Sequence, residues 1–171
     1  MSSKFVNLLV APIALIFAVT CLAVITKAGD DKARKELEAI YAKRDKALKN
    51  KDFDFEKSLK AEDYSEKSKD GTIKNRQESD AESAEMKAMI KEVREITTKI
   101  DSVKPGEEDD EFIVETSDSG SLTVMLPDNK VHEVSGSGRS RDIWLKTEKG
   151  WKIKYHEDLG STVMMDGKPI K

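Results

Sequence analysis

The sequence predicts an α+β fold: three N-terminal helices packed on a strongly curved, mostly antiparallel sheet of about four strands, preceded by an apolar N-terminal helix. Three observations carry this. Apolar residues recur at helical spacing up to about residue 91. The period then changes to strict alternation. Last comes a hairpin, Asp142 to Glu157, with a tryptophan in each arm and a charged turn closed by Gly150.

The elements follow in order. Gly29-Asp30-Asp31 punctuates the end of the first segment, and either aspartate suits a helix N-terminus, where free amides favour a carboxylate. Ala33, Leu37, Ile40, Tyr41, Ala47 and Leu48 then mark one face of a helix over 31–50. Phe55 and Leu59 lie one turn apart in a short second helix over 52–59. Ala61 to Ser65 is expected to lead into a polar loop that ends in the turn pair Asp70-Gly71. Asn75 with Glu78 three residues on forms a capping box, which starts a third helix over about 76–91. Its apolar face is thin and built of alanine and methionine.

Strands follow. Ile96, Thr98 and Ile100 alternate within 93–103, and Pro105-Gly106 opens an acidic turn. Phe112, Val114 and Thr116 alternate, Ser117 to Ser121 is expected to interrupt them, and Leu122, Val124 and Leu126 resume. After a turn at 127–130, residues 131–147 read as one long strand bent at Gly136 and Gly138.

Ahead of this body stands an apolar run, Phe5 to Thr26, behind Lys4. Residues 1–28 are therefore expected to be a signal peptide or membrane anchor, and 29–171 the folded domain. Thr26-Lys27-Ala28 suits cleavage, while the run is also long enough to span a bilayer uncut. Acylation of Cys21 is a third route, although Ala18-Val19-Thr20 fits a lipobox poorly. Each route exports the domain to the periplasm, the medium or the outer side of a membrane, with membrane contact only through this segment.

Composition excludes several functions. The chain of 171 residues has net charge -3, and outside residues 1–28 it keeps 28 basic and 33 acidic residues. The two signs are interspersed, with no basic stripe among aromatics, so no nucleic-acid partner is expected. Cys21 is the single cysteine, which excludes a disulfide within the chain and a thiolate metal site. His132 and His156 sit on different strands, outside any ligand-spaced motif, so neither metal nor cofactor is expected. Ser135-Gly136-Ser137-Gly138-Arg139 lacks the ending and the following helix of a phosphate loop. No Gly-x-Ser-x-Gly elbow is present.

The long first helix through Tyr41 and Ala47 to Asp52-Phe53 resembles a known pattern. So do Glu62-Asp63-Tyr64, Asp70-Gly71, the following helix, and the closing strands with Trp144 and Gly150-Trp151-Lys152-Ile153. Over about Lys32 to Ser161 the chain resembles the nuclear transport factor two-like superfamily, which includes SnoaL-like proteins and ketosteroid isomerases. The resemblance implies a cone-shaped α+β barrel with a pocket, and commonly a dimer through the sheet. No Tyr/Asp pair of the isomerase kind can be matched, so it does not imply isomerase activity.

Simple alternation turns Trp151, Ile153, Tyr155, Glu157 and Leu159 inward and Lys152, Lys154, His156 and Asp158 outward. Glu157 is then a carboxylate on an apolar face, the candidate general base; fraying of the strand end or pairing with an arginine is the plainer account. Tyr41, Asp45, Tyr64, Tyr155 and Glu157 are the candidate ligand-binding residues, and Trp144, expected on the outer face, the candidate interface residue. The leading expectation is an exported domain that binds a small apolar or mixed-polarity ligand, or a protein partner, without turnover, as a homodimer. The alternatives are a small isomerase, hydratase or hydrolase using Glu157, and an accessory structural domain of an envelope complex.

Overall fold

The computed structural model describes residues 30–170. The apolar segment and its proposed cleavage or anchoring at 1–28 lie outside the described residues. Among those described, no helix is long and apolar enough to cross a membrane.

Helix α1 covers 30–49 and buries Ala33, Leu37, Tyr41 and Leu48, a stripe spaced by four, four and seven residues. It stops at Lys51, whose φ of 59° leaves helical space. Asp52 then caps α2 (Phe53–Leu59) by accepting from the Phe55 amide at 3.3 Å. The chain passes directly into β1 (Lys60–Lys67) and, after a turn at Gly71 with φ of 87°, into β2 (Ile73–Asn75). Asn75 and Glu78 form the expected capping box at the head of α3 (Arg76–Met89). Four long strands follow: β3 (Ile90–Pro105), β4 (Glu111–Met125), β5 (Val131–Thr147) and β6 (Gly150–Met165), with a short β7 (Lys168–Pro169).

One mixed sheet has the order β2-β1-β6-β5-β4-β3, with β7 added to β6; β1 runs parallel to β6 and all other pairs are antiparallel. The α+β class agrees with expectation, but the three helices do not form one N-terminal set. The sheet is larger than the expected four strands, and β1 and β2 separate α2 from α3. The residues 61–65 alternate too weakly to announce a strand, yet β6 supplies an edge on which Lys60 and Ser65 to Lys67 pair at either side of an irregular stretch. Likewise Ser117 to Ser121 do not interrupt β4. Each of these residues is paired on both sides, with β3 and β5, which overrides their low strand propensity.

Two devices bend the sheet. Extra residues bulge from β6 at Lys154 and Leu159, where the register against β5 slips. Gly120 and Gly136 face each other across β4 and β5; a Cβ on them would stand 2.9 Å from the Glu95 carbonyl and 2.8 Å from the Thr162 carbonyl. The backbones approach too closely there for any side chain.

The bent sheet closes over α1. Leu37, Tyr41, Val114, Trp144, Trp151 and Ile153 form the main core, with Ile40 packed against it. Tyr41 and Trp144 meet edge to face at 5.5 Å, as do Phe112 and Trp151 at 5.3 Å. A smaller cluster, Ile90, Val93 and Val124, closes the far end.

Candidate functional site

The inner face of β5 presents Trp144, Asp142, Ser140, Gly138 and Gly136 in turn, every second residue. Side-chain bulk falls along this row. Where it reaches glycine, the sheet, α1 and α2 line an open cavity of about 430 Å³. Leu48, Ile96 and Val163 give it an apolar side; Arg44, Asp118 and His156 give it a polar one.

The register explains His156. Trp144 pairs with Ile153, but Ile143 pairs with Tyr155, so Lys154 is an inserted residue. The insertion reverses the alternation. Ile153 and His156 face inward, and Tyr155 and Glu157 face outward. The expected inward positions of Tyr155 and Glu157 are thus corrected by one bulge. Glu157 lies on the outer face between Lys67 at 3.1 Å and Arg141 at 3.3 Å, a paired surface carboxylate without access to the cavity. Tyr155 sits beside Ile143 and, beyond it, Ile113 on that same outer face.

Behind the cavity lies a buried polar chain. The Trp144 indole N–H donates to the Tyr41 hydroxyl at 2.9 Å, and that hydroxyl donates to Asp142 Oδ2. The other Asp142 oxygen, Oδ1, is bonded to His156 Nδ1 at 2.7 Å. Asp142 is 1% exposed and Trp144 is fully buried. Trp144 therefore cannot be the outer-face interface expected of it; Asp142, two residues away, comes inside with it.

Electrostatics follow from this geometry. Burial pushes Asp142 up, but the bond to His156 and its charge, then Tyr41 and Arg44, outweigh it and hold the carboxyl below its usual range. Burial opposes charge on His156, and Asp142 overcomes it, so the imidazole is more basic than usual. Burial first, then the charge of Asp142, raises Tyr41 far above the usual phenol range, so it remains a donor.

The other expected residues serve the frame. Asp45 accepts from the Thr98 amide at 2.7 Å and the Thr98 hydroxyl at 2.9 Å, pinning α1 to β3. Tyr64 is buried, donates to Glu66 Oε2 at 3.0 Å and lies under Lys60 Nζ, 4.9 Å from its ring centroid. Neither lines the cavity over Gly136 and Gly138; Tyr64 lines a separate surface hollow with Asn75 and Asp80. Tyr41 belongs to the polar chain and not to the rim. His156, Asp142, Asp118 and Arg44 were not among the expected site residues. One signal pointed to Asp142: it shares a strand face with Trp144, so a buried tryptophan brings it inside. Among the described residues no group of three or more His, Cys, Asp or Glu is arranged to hold a metal ion.

No family model and no curated protein matches the sequence. Solved structures do match in shape. A conserved protein from Planctomyces limnophilus superposes with a TM-score of 0.62 at 15% identity, covering 82% of this chain and 99% of its own. An NTF2-like protein from Cytophaga hutchinsonii gives 0.53 at 15% identity, covering 73% and 95%. A ketosteroid isomerase-like protein from Erwinia carotovora atroseptica gives 0.55 at 12% identity, covering 74% and 95%. A helix wrapped by a bent, mostly antiparallel sheet, matched in these proteins over most of their lengths, gives this chain the nuclear transport factor two-like fold.

Proposed function

We propose that the cone binds a small molecule of mixed polarity and that His156, held by Asp142, exchanges a proton with it. The observation that carries this reading is the placement of His156: it lines the cavity while its Nδ1 is bonded to a buried carboxylate. With Asp142 accepting, Nδ1 carries the hydrogen and Nε2 is left for the ligand. Asp142 then steadies the imidazolium that forms when Nε2 takes a proton, and the Tyr41–Trp144 pair steadies Asp142. Asp142 makes the imidazole more basic than usual, which favours its taking a proton. The isomerase-like relative named above shares this fold at low identity, which supports a cavity suited to small molecules and nothing finer.

The same proposal includes export. Residues 1–28 carry the domain across a membrane, as a cleaved signal or a retained anchor, and the cone works outside the cytoplasm. Protease accessibility of the domain in intact cells tests this; full protection would refute it.

The proton-transfer role is tested with a panel of small ketones and hydroxy-ketones in deuterated water. Those that shift the amide resonances of Gly136 and Gly138 should exchange the hydrogen next to their carbonyl in the presence of the protein. H156Q should abolish exchange and preserve the shifts. Exchange that persists in H156Q would remove His156 from the chemistry.

A further inference from the structure

Six ionisable side chains line the cavity, and they are unequally satisfied. Arg139 turns to the outer face, 3.8 Å from Glu115. Arg44 donates to the Thr98 hydroxyl at 2.8 Å, lies 4.8 Å from the Tyr41 ring centroid and has Asp45 3.9 Å away; Glu56 adds to the charges that favour its cation. His156 is held by Asp142. Asp158 accepts from the Gly160 amide at 2.7 Å and the Ser161 hydroxyl at 3.2 Å.

Asp118, like Glu56 and Asp158, has no ion pair among the described residues, but it alone of the three faces a glycine across the sheet. The Thr116 hydroxyl, bonded to Ser140 at 2.8 Å, is its neutral neighbour. Asp118 is half-buried on the inner face of β4, directly across from Gly138 on β5. Its Oδ2 lies 3.2 Å from where a Gly138 Cβ would stand, and that absent side chain leaves room above the oxygen. Arg44 and His156 favour the charged form of Asp118 only from a distance, so its desolvation is not offset by a contact.

We infer that the ligand of this cone carries a protonated amine, and that the ammonium group sits over Gly138 against Asp118. The inference rests on the binding reading proposed above. The apolar remainder of such a ligand fits Leu48, Ile96 and Val163 across the cavity. An anion would meet Asp118, Asp158 and Glu56 on the cavity wall, and His156 is already bonded to Asp142. Arg44 Nε, buried and without a hydrogen-bond partner, is the donor such an anion would use, and a carboxylate probe reads that competition. Burial makes Asp118 less acidic than usual, and the charge of Asp142 adds to it, against the charges of Arg44 and His156 and the bond from Thr116. A bound ammonium offsets both, so amine affinity rises with pH as Asp118 ionises.

The test uses the full chain and three probes with one skeleton: cyclohexylamine, cyclohexanol and cyclohexanecarboxylate. The readout is the titration of the Gly136 and Gly138 amide shifts. The amine should bind about tenfold more tightly than either other probe, the scale of one charge-assisted hydrogen bond. D118N should bring it to the level of the alcohol and leave the alcohol unchanged. On the unmodified protein, amine affinity should fall on acidification from about pH 7 to about pH 4 while that of the alcohol holds, and the fall should persist in H156Q, which separates Asp118 from the charge of His156. An alcohol or carboxylate that binds best, or an amine indifferent to D118N and to pH, overturns the amine assignment and leaves the binding site standing. If none of the three binds, the binding site falls too.

Discussion

The two ends of the cone are built on the same strands and have opposite character. At the narrow end the inner residues are Trp144, Val114, Ile153 and Trp151, closed on Leu37 and Tyr41 with almost no exposed surface. At the wide end the same inner rows carry Gly138, Gly136 and Gly120, and a cavity stands where side chains would be. A few steps of two along β5 separate a fully buried tryptophan from an open floor. The cavity thus comes from withdrawing side-chain volume along a strand whose backbone course is kept. The main core lies at one end and the ligand space between it and the smaller Ile90–Val93–Val124 cluster, with the Asp142–His156 pair at the border.

The sharpest way to break this comparison is at the narrow end. W144A empties the largest fully buried side chain and strips Tyr41 of a donor, so urea unfolding should show a loss of about 3–5 kcal/mol. A loss below about 1 kcal/mol would mean the narrow end is not the stabilising one.

Next in size is Y41F. It leaves the Trp144 N–H and one Asp142 oxygen without partners, which costs about 1–3 kcal/mol for a buried polar group. The Asp142 carboxyl should also become less acidic, since Tyr41 is among the groups that hold it down.

The border pair predicts a pH profile. His156 is raised on folding, so its contribution is complete below the unfolded pKa near 6.5 and is lost as pH rises through the folded value. Asp142 is lowered, so its contribution is present above about 3.9 and is lost as pH falls through the folded value. Their joint contribution to melting temperature should therefore be greatest between about pH 4 and 6.5. Asp118 is raised by burial and favours the folded state at low pH, so D118N should lift stability at neutral pH and flatten the acid side. H156Q should remove the alkaline limb.

Smaller effects sharpen the picture at the wide end. A Cβ at Gly138 meets Asp118 Oδ2 at 3.2 Å and the Ser161 Cβ at 3.3 Å, and the Asp118 side chain can give. G138A should cost no more than about 1 kcal/mol while reducing probe binding in the cavity. Smallest is E157Q. With its partners on the exposed outer face, it should change stability by less than about 1 kcal/mol and leave proton exchange untouched.

Much of the frame was readable from residue order. The α1 stripe, the Asn75–Glu78 box, the break at Pro105-Gly106 and the Trp144–Trp151 hairpin each have a local cause in the sequence, and each stands where that cause put it. The site was not readable in the same way. Lys154 carries no mark that separates a bulged lysine from a paired one, yet it decides whether His156 or Glu157 looks inward. Strand β1 is held by its parallel partner far along the chain, and β4 keeps its course through Ser117 to Ser121 because both neighbours pair with it. Those are properties of contacts between distant segments, which local spacing does not record.

The inserted lysine has one more implication. Deleting Lys154 would remove the bulge and leave every pair beyond it in place, with Ile153 inward, Tyr155 outward and the imidazole still on Asp142. Seating Lys154 opposite Ile143 is what would turn Tyr155 and Glu157 toward the hollow and withdraw the imidazole. The acid–base identity of the interior therefore depends on which residue the strand leaves unpaired, with no substitution anywhere near the ligand.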